Sequence, residues 1–237
     1  MEIFLKKVFV GLPKTIGSKD AVNPMEREWT SAIFKDPIEG AIWVGKTGIK
    51  GDGQYDLEHH GGPEKAVFAY SIENYSYWHK ELGISEILPG GMGENLAMEH
   101  VTEETISIGD TFQIGEAVIQ VSQPRQPCWK PARRFKIKNL ALLLQSTGKT
   151  GWYFRVLQEG YVEAGQTFTL LDRPYPQWTI HKCNQIIHAK EQNFEEMKEL
   201  ADCEMLAPGM RATLAKRIEK RNPGALDIRD RVFGPNE

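Results

Sequence analysis

Thr111-Phe112-Gln113-Ile114, Gly115-Glu116 and Ala117-Val118-Ile119-Gln120-Val121 follow one another and run into Ser122-Gln123-Pro124-Arg125-Gln126-Pro127-Cys128-Trp129-Lys130. Alternating β-branched and aromatic runs parted by a two-residue turn read as a hairpin. Ile106-Ser107-Ile108, ahead of Gly109-Asp110, is expected as a further strand of the same meander. Outward from it, residues 3–10, 30–34, Gly40–Gly45, Ala66–Tyr70, Trp152–Leu157 and Thr167–Leu171 are short apolar runs bounded by Gly, Pro, Asp or Ser. Many short strands with few inserted helices point to a mainly β chain closed or strongly curved into a barrel.

Helical spacing appears where Ile72, Tyr75, Trp78, His79 and Leu82 recur, with Ser71 placed to cap the start and Gly83 the end. A second helix is expected from Ala132 to Gln145. Asp172-Arg173-Pro174-Tyr175-Pro176-Gln177 reads as a linker, since its prolines rule out helix and central strand. Beyond it, Cys183–Glu191, Phe194–Asp202 and Pro208–Arg221 have helical patterns, and Pro208 suits a first turn. The reading is a barrel domain over 1–172, a three-helix domain over 179–221 that folds as a module of its own, and a tail over 222–237 that trails over the barrel or frays.

Hydrophobic residues make up 41% and charged residues 26% of 237, the balance of an ordinary globular protein. A net charge of −3 supplies no global field for nucleic acid or an anionic membrane, so anion binding has to come from a local patch. Cys128, Cys183 and Cys203 form no CxxC pair, which fits a reducing compartment, and the cytoplasm is expected. Met1–Pro13 carries lysines inside its apolar run and reads as a strand rather than a signal peptide. No stretch approaches the ~18 apolar residues of a membrane span.

Between Gln123 and Arg134 stand Arg125, Lys130, Arg133 and Arg134 and no acid, a field that favours thiolate at Cys128, the form that binds soft metals. The plainer alternative is a small buried hydrophobe. Glycine turns at Gly51-Asp52-Gly53, His60-Gly61-Gly62 and Gly90-Gly91-Met92-Gly93 serve tight bends or present N–H groups to an anion, and Asp52, Gln54, Asp56, His59, His60, Glu94 and Asn95 stand beside them. His59 and His60 point to opposite faces of an extended segment, so a zinc pair is not expected, and His60 is the one favoured as an acid/base group. Gly40–Thr47 fits the P-loop expression, but its interior is an apolar strand with no following helix, which rejects it. Trp129 with Lys130, Arg133 and Arg134 offers a surface for a planar ring and a phosphate; extended nucleic-acid binding is not expected from so short a patch.

Gly51-Asp-Gly-Gln, His60-Gly-Gly-Pro-Glu-Lys-Ala-Val, Gly93-Glu-Asn-Leu, Ile108-Gly-Asp and Gln123-Pro-Arg-Gln-Pro-Cys, in that order, resemble the MOSC domain, within it the YiiM type. The match runs from about Trp29 to Asp172, and the segment after it resembles the three-helix domain of YiiM-like proteins. The resemblance implies a β-barrel that binds the molybdenum cofactor (molybdopterin), not pyridoxal phosphate, with Cys128 as ligand to the metal. Glu94, His60 and Arg125 would join Cys128 in catalysis. Gly51, Asp52, Gln54, Asp56, Gly61, Gly62, Asn95, Lys130 and Arg133 would surround the cofactor. The implied activity is reduction of small N-hydroxylated compounds such as 6-hydroxylaminopurine, a detoxification fed by a separate flavin-containing reductase. The alternative is a carrier of sulfur or cofactor without turnover.

Overall fold

The computed structural model describes residues 2–83, 87–189, 191, 193–220 and 228–236. Seven strands close a barrel: β1 Ile3–Val10, β2 Val67–Ser71, β3 Leu96–Glu99, β4 Thr111–Ile114, β5 Ala117–Pro124, β6 Trp152–Gln158 and β7 Thr167–Asp172. Their order around the barrel is β1-β3-β2-β6-β5-β4-β7, and β7 returns to β1 through Ile3↔Phe168 and Phe4↔Thr167. Of these pairings only β2 with β3 is parallel, because α1 (Glu73–Leu82) and the loop after it carry the chain back across the barrel wall between them. Closure removes the exposed sheet edges that a flat sheet of this size would present.

Asp36–Ile38 extends β1, and Lys14–Ile16 pairs with Trp29–Ser31. Ile42–Gly45 pairs with Gly160–Val162 and with Gly48–Ile49, so the segment that fits the P-loop expression is a strand and a turn. Inside the barrel Leu5, Val67, Leu96, Phe112, Ile119, Phe154 and Phe168 form the core. A second cluster, with Tyr70, Tyr75, Trp78, Leu140 and Leu144, lies where α1 and the helices after Cys128 cover the wall.

Several sequence expectations need correction. Ser107 makes only an isolated bridge, to Thr179, so Ile106–Ile108 is not a strand; Asp110 Oδ2 accepts from Ser107 N–H instead and holds a turn. Ile72, not Ser71, caps α1, and the Ser71 hydroxyl donates to Glu73. Gly83 ends α1 in the left-handed region, as expected. The helix expected over Ala132–Gln145 is two, α2 Trp129–Phe135 and α3 Leu140–Thr147, because Lys136 turns left-handed (φ 59°) and its N–H closes back on Ala132 and Arg133.

After the linker come α4 Ile180–His188, α5 Phe194–Ala201 and α6 Pro208–Lys220. Their apolar faces are continuous with the barrel's own core. Trp178, Ile180, Cys183, Ile187, Leu200, Leu206 and Leu214 belong to the same apolar cluster as the barrel interior. Main-chain bonds stitch the two together, among them Ile180 N to Ile106 O (2.9 Å), His181 N to Glu103 O (2.7 Å) and Ala207 N to Ser122 O (2.9 Å). Asn222, Pro223 and Gly224, expected to trail, lie outside the described residues. The 228–236 part of that segment is ordered: α7 Ile228–Val232 and the turn Gly234–Asn236 bury Val232 and Asn236 against the body.

Candidate functional site

β5 delivers the cysteine loop, and its pairing with β6 shifts register between Val121 and Gln123. Such a bulge bends the strand and re-aims the residues beyond it. Ser122, at the bulge, donates its hydroxyl to Glu64 O (2.6 Å) and is 3.0 Å from Tyr153 O, so the loop's root is fixed to the Pro63–Lys65 turn and to β6. Arg125 N then bonds Gly151 O (3.0 Å). Gly151 is required there: its φ is +73°, and a Cβ would lie 2.5 Å from Ala69 O.

Cys128 sits as the extended N-cap of α2 (φ −127°, ψ 173°) and is 8% exposed. Its Sγ is 4.0 Å from Arg125 Nη2. That guanidinium is buried, lies over the Phe68 ring at 5.5 Å, and bonds Tyr153. Burial pushes the Tyr153 phenol up to about 12, so it keeps its proton at neutral pH. Two adjoining clefts meet at Cys128, and Tyr55, His60, Lys65, Cys128, Lys130 and Tyr153 line both. The inner one is small, about 90 Å³, and the outer one is about 1120 Å³, room enough for a cofactor-sized ligand. Burial, then the charges of Lys130 and Arg125, lower His60 to about 3, leaving a neutral imidazole at the cleft wall. The side chain of His59 lies outside the described residues.

Of the residues expected from sequence to form a site, Cys128, His60, Arg125, Asp52, Gln54, Asn95 and Lys130 come together around the inner cleft, and Asp56 lines the outer one. Asp52 is internally committed: it accepts from Gly11 N (2.8 Å) and Asn95 Nδ2 (2.9 Å) and pairs with buried Lys35. Its place is to fix Asn95 and Lys35 in the cleft wall.

Glu94 does not line either cleft. Its Oε1 accepts from the Tyr75 hydroxyl (2.5 Å) and Gly90 N (2.6 Å), and burial raises its pKa, so it holds the 90–93 loop from behind. Gly93, in that loop, does line the inner cleft; at φ +84° a Cβ would come 2.8 Å from Ile33. Gly51, Gly61 and Gly62 do not reach the lining either. Arg133 borders the outer cleft, yet its guanidinium is engaged by Asn236 Oδ1 (2.7 Å), Pro235 O (2.8 Å) and Pro24 O (2.8 Å). Arg134 turns to Ile33 O and Gly90 O. Trp129 packs against Trp29 (5.4 Å) and Arg133 (4.8 Å), and the half-buried ring also borders the outer cleft.

Lys35, Tyr55, Lys65, Tyr153 and Arg231 border the clefts although sequence reasoning does not find them. Lys65 stands inside the His60–Val67 motif, which is a usable signal; Tyr153 is one position of an ordinary strand, and Arg231 lies about a hundred residues from its neighbours.

Among the described residues no three His, Cys, Asp or Glu side chains gather to hold a metal. A metal here would have to bring other ligands with it and take Cys128 as its protein ligand. Lys65, Lys130, Arg133 and Arg231 line the outer cleft together with Glu28, Asp56 and Asp230, and Gln126, whose buried Nε2 has no partner among the described residues, lines it too, so cations and a donor amide stand near Cys128 for an anionic ligand. The residues present fit a metal-bearing organic cofactor with an anionic group.

Among the described residues no helix is long and apolar enough to cross a membrane. The MOSC domain family matches residues 56–169, and the YiiM-like 3-alpha helix domain family matches 178–221. The uncharacterized protein YflK of Bacillus subtilis is 39% identical over 90% of this chain and 96% of its own length. A Gibberella moniliformis protein named Reductase is 36% identical over 76% of this chain, which is only 32% of that protein. The crystal structure of YiiM from Geobacillus stearothermophilus superposes with a TM-score of 0.76 at 34% identity, covering 91% of this chain and 99% of that one. With barrel, three helices and both family matches in register, the chain belongs to the MOSC domain proteins of the YiiM type.

Proposed function

We propose that this protein is a molybdenum-cofactor-dependent reductase of small N-hydroxylated compounds. The carrying observation is Cys128 at the junction of two clefts, with Arg125, Lys65 and Lys130 in their walls. Cys128 would hold the metal, and Arg125, Lys130, Lys65 and the Gln126 amide would face the cofactor's anionic group, where charge-assisted hydrogen bonds are the strong ones. When bound, the cofactor supplies two electrons, so that an N-hydroxyl compound, two electrons and two protons give the amine and water.

The chain's own residues set the conditions for that. Neutral His60 and the protonated Tyr153 phenol stand at the cleft wall, where both stay uncharged at neutral pH and can orient a ligand by hydrogen bonds. Asp52 fixes Asn95 for substrate or cofactor contact. The name of the fungal relative supports a reductase, and the matched region is a third of that protein. Here the electrons would come from another protein, a flavin-containing reductase.

The test is elemental analysis of protein made in a cofactor-competent host, with 6-hydroxylaminopurine reduction assayed using an artificial electron donor. Stoichiometric molybdenum with turnover supports the reading. Molybdenum without turnover on any N-hydroxylated substrate would favour a cofactor carrier, and absence of molybdenum would end both.

A further inference from the structure

The wall of the outer cleft includes α7 and the turn after it, through Asp230, Arg231 and Pro235. This segment, 228–236, is fastened to the cysteine loop and to α2 at successive points. Arg231 Nη1 donates to Pro127 O, the carbonyl joined to Cys128, and Nη2 donates to Gln145 Oε1 (2.9 Å). Asn236 accepts from Arg133 Nε (2.7 Å) and donates to Trp129 O (3.2 Å). Gly234 lies flat on Trp129, so close that a Cβ would be 2.3 Å from the indole. The segment is therefore a strap across the back of the cysteine loop.

Arg231 is the strap's contribution to the cleft itself. Its hydrogen-bond acceptors among the described residues are a main-chain carbonyl and an amide oxygen, both neutral, and a guanidinium has five N–H donors. Its charge is near enough to Cys128 and Arg125 to be felt by both. The acid beside it, Asp230, is exposed.

We propose that Arg231, carried in by the 228–236 strap, is an anion-recognising residue of the outer cleft that draws a negatively charged group toward Cys128. This rests on the reading of the cleft as a site for an anionic ligand, and it makes the C-terminal strap a part of the site. The cation would act together with Lys130 and the Gln126 amide, which line the same cleft.

The experiment needs no cofactor. Cys128 is alkylated with iodoacetate and, separately, iodoacetamide, reagents that differ chiefly in a carboxylate, and modification is followed on the Cys128 peptide by mass spectrometry. Cys183 and Cys203, at 0% and 3% exposure, serve as references that should react far more slowly. For Arg231→Gln the iodoacetate-to-iodoacetamide rate ratio should fall about threefold or more, the scale of one partly screened charge interaction, and Arg231→Lys should restore most of it. Should Arg231→Gln fail to fold, salt titration of the unmodified protein decides: the ratio should fall with ionic strength and should not fall in Lys130→Gln alone to the same low value. An unchanged ratio in Arg231→Gln, or both rates rising together as they would if the strap were only a clamp, overturns the proposal. Because the readout is an anion effect on the free protein, it stands apart from whether molybdenum is found.

Discussion

Asp52→Asn is the substitution whose cost the structure specifies most closely. The carboxylate is 2% exposed and meets three donors: Gly11 N–H, the Lys35 ammonium, itself 6% exposed, and Asn95 Nδ2. Asparagine leaves one oxygen for these three and adds an amide that donates toward Asn95. Lys35 then keeps a buried charge with its partner gone, and burial already presses its pKa below the usual lysine range. Breaking a buried pair from one side costs about 3–5 kcal/mol. For a chain of this size that is roughly 6–20 °C in Tm. Urea denaturation at constant m, with thermal melts alongside, measures it. Lys35→Met added to Asp52→Asn should recover a large part of the loss, since the orphaned charge disappears, and should cost less there than in the unmodified protein. A single-variant loss under about 1 kcal/mol, or a double variant no better than the single, would refute the account of Asp52 as an internal anchor.

Cys128→Ala should abolish reduction of N-hydroxylated substrate and lower molybdenum retention, whereas Cys183→Ala should keep both and lose only packing stability, read by activity, metal content and melting. His60 has a folded pKa of about 3 against 6.5 when unfolded, so the unfolded chain binds the extra proton between those values and His60 withdraws stability as pH falls from 6.5 toward 3. His60→Asn should therefore flatten stability against pH in that window, with a slope smaller by at most about 1.4 kcal/mol per pH unit; an identical slope would contradict it. A chain ending at Asp172 should fail to fold soluble, because Trp178, Ile180 and Leu200 complete the barrel's own core, and a soluble, cooperatively melting fragment would instead bear out a separately folding module. Gly151→Ala should destabilise by about 2 kcal/mol or more, from left-handed strain and collision with Ala69 O.

What could be read from the sequence was whatever local pattern determines. The hairpin over β4 and β5 has two-residue alternation and a Gly115 turn at φ +52°, and residues 3–10 form a strand at the expected bounds because their own apolar, β-branched run marks it, although the partners at 36–38, 96–99 and 167–168 are distant. The break at Lys136 escaped detection, since the left-handed residue that ends α2 is a lysine where glycine or asparagine would have announced it. The cleft was legible in part for a related reason. Motif neighbours such as His60, Arg125 and Cys128 stand on turns whose roots the barrel brings to one end. Arg133 and Glu94 could not be assigned by proximity in the chain, because Asn236 and the Pro24 and Pro235 carbonyls engage the guanidinium of the first and a tyrosine from α1 claims the second. Arg231 is the limiting case: its contact with Pro127 spans about a hundred residues, and nothing in the composition around it distinguishes it from any exposed arginine. The sequence pattern therefore locates the cysteine and its loop, while the cations that close the cleft around it are placed by the barrel's closure and the strap's docking, which only the three-dimensional packing decides.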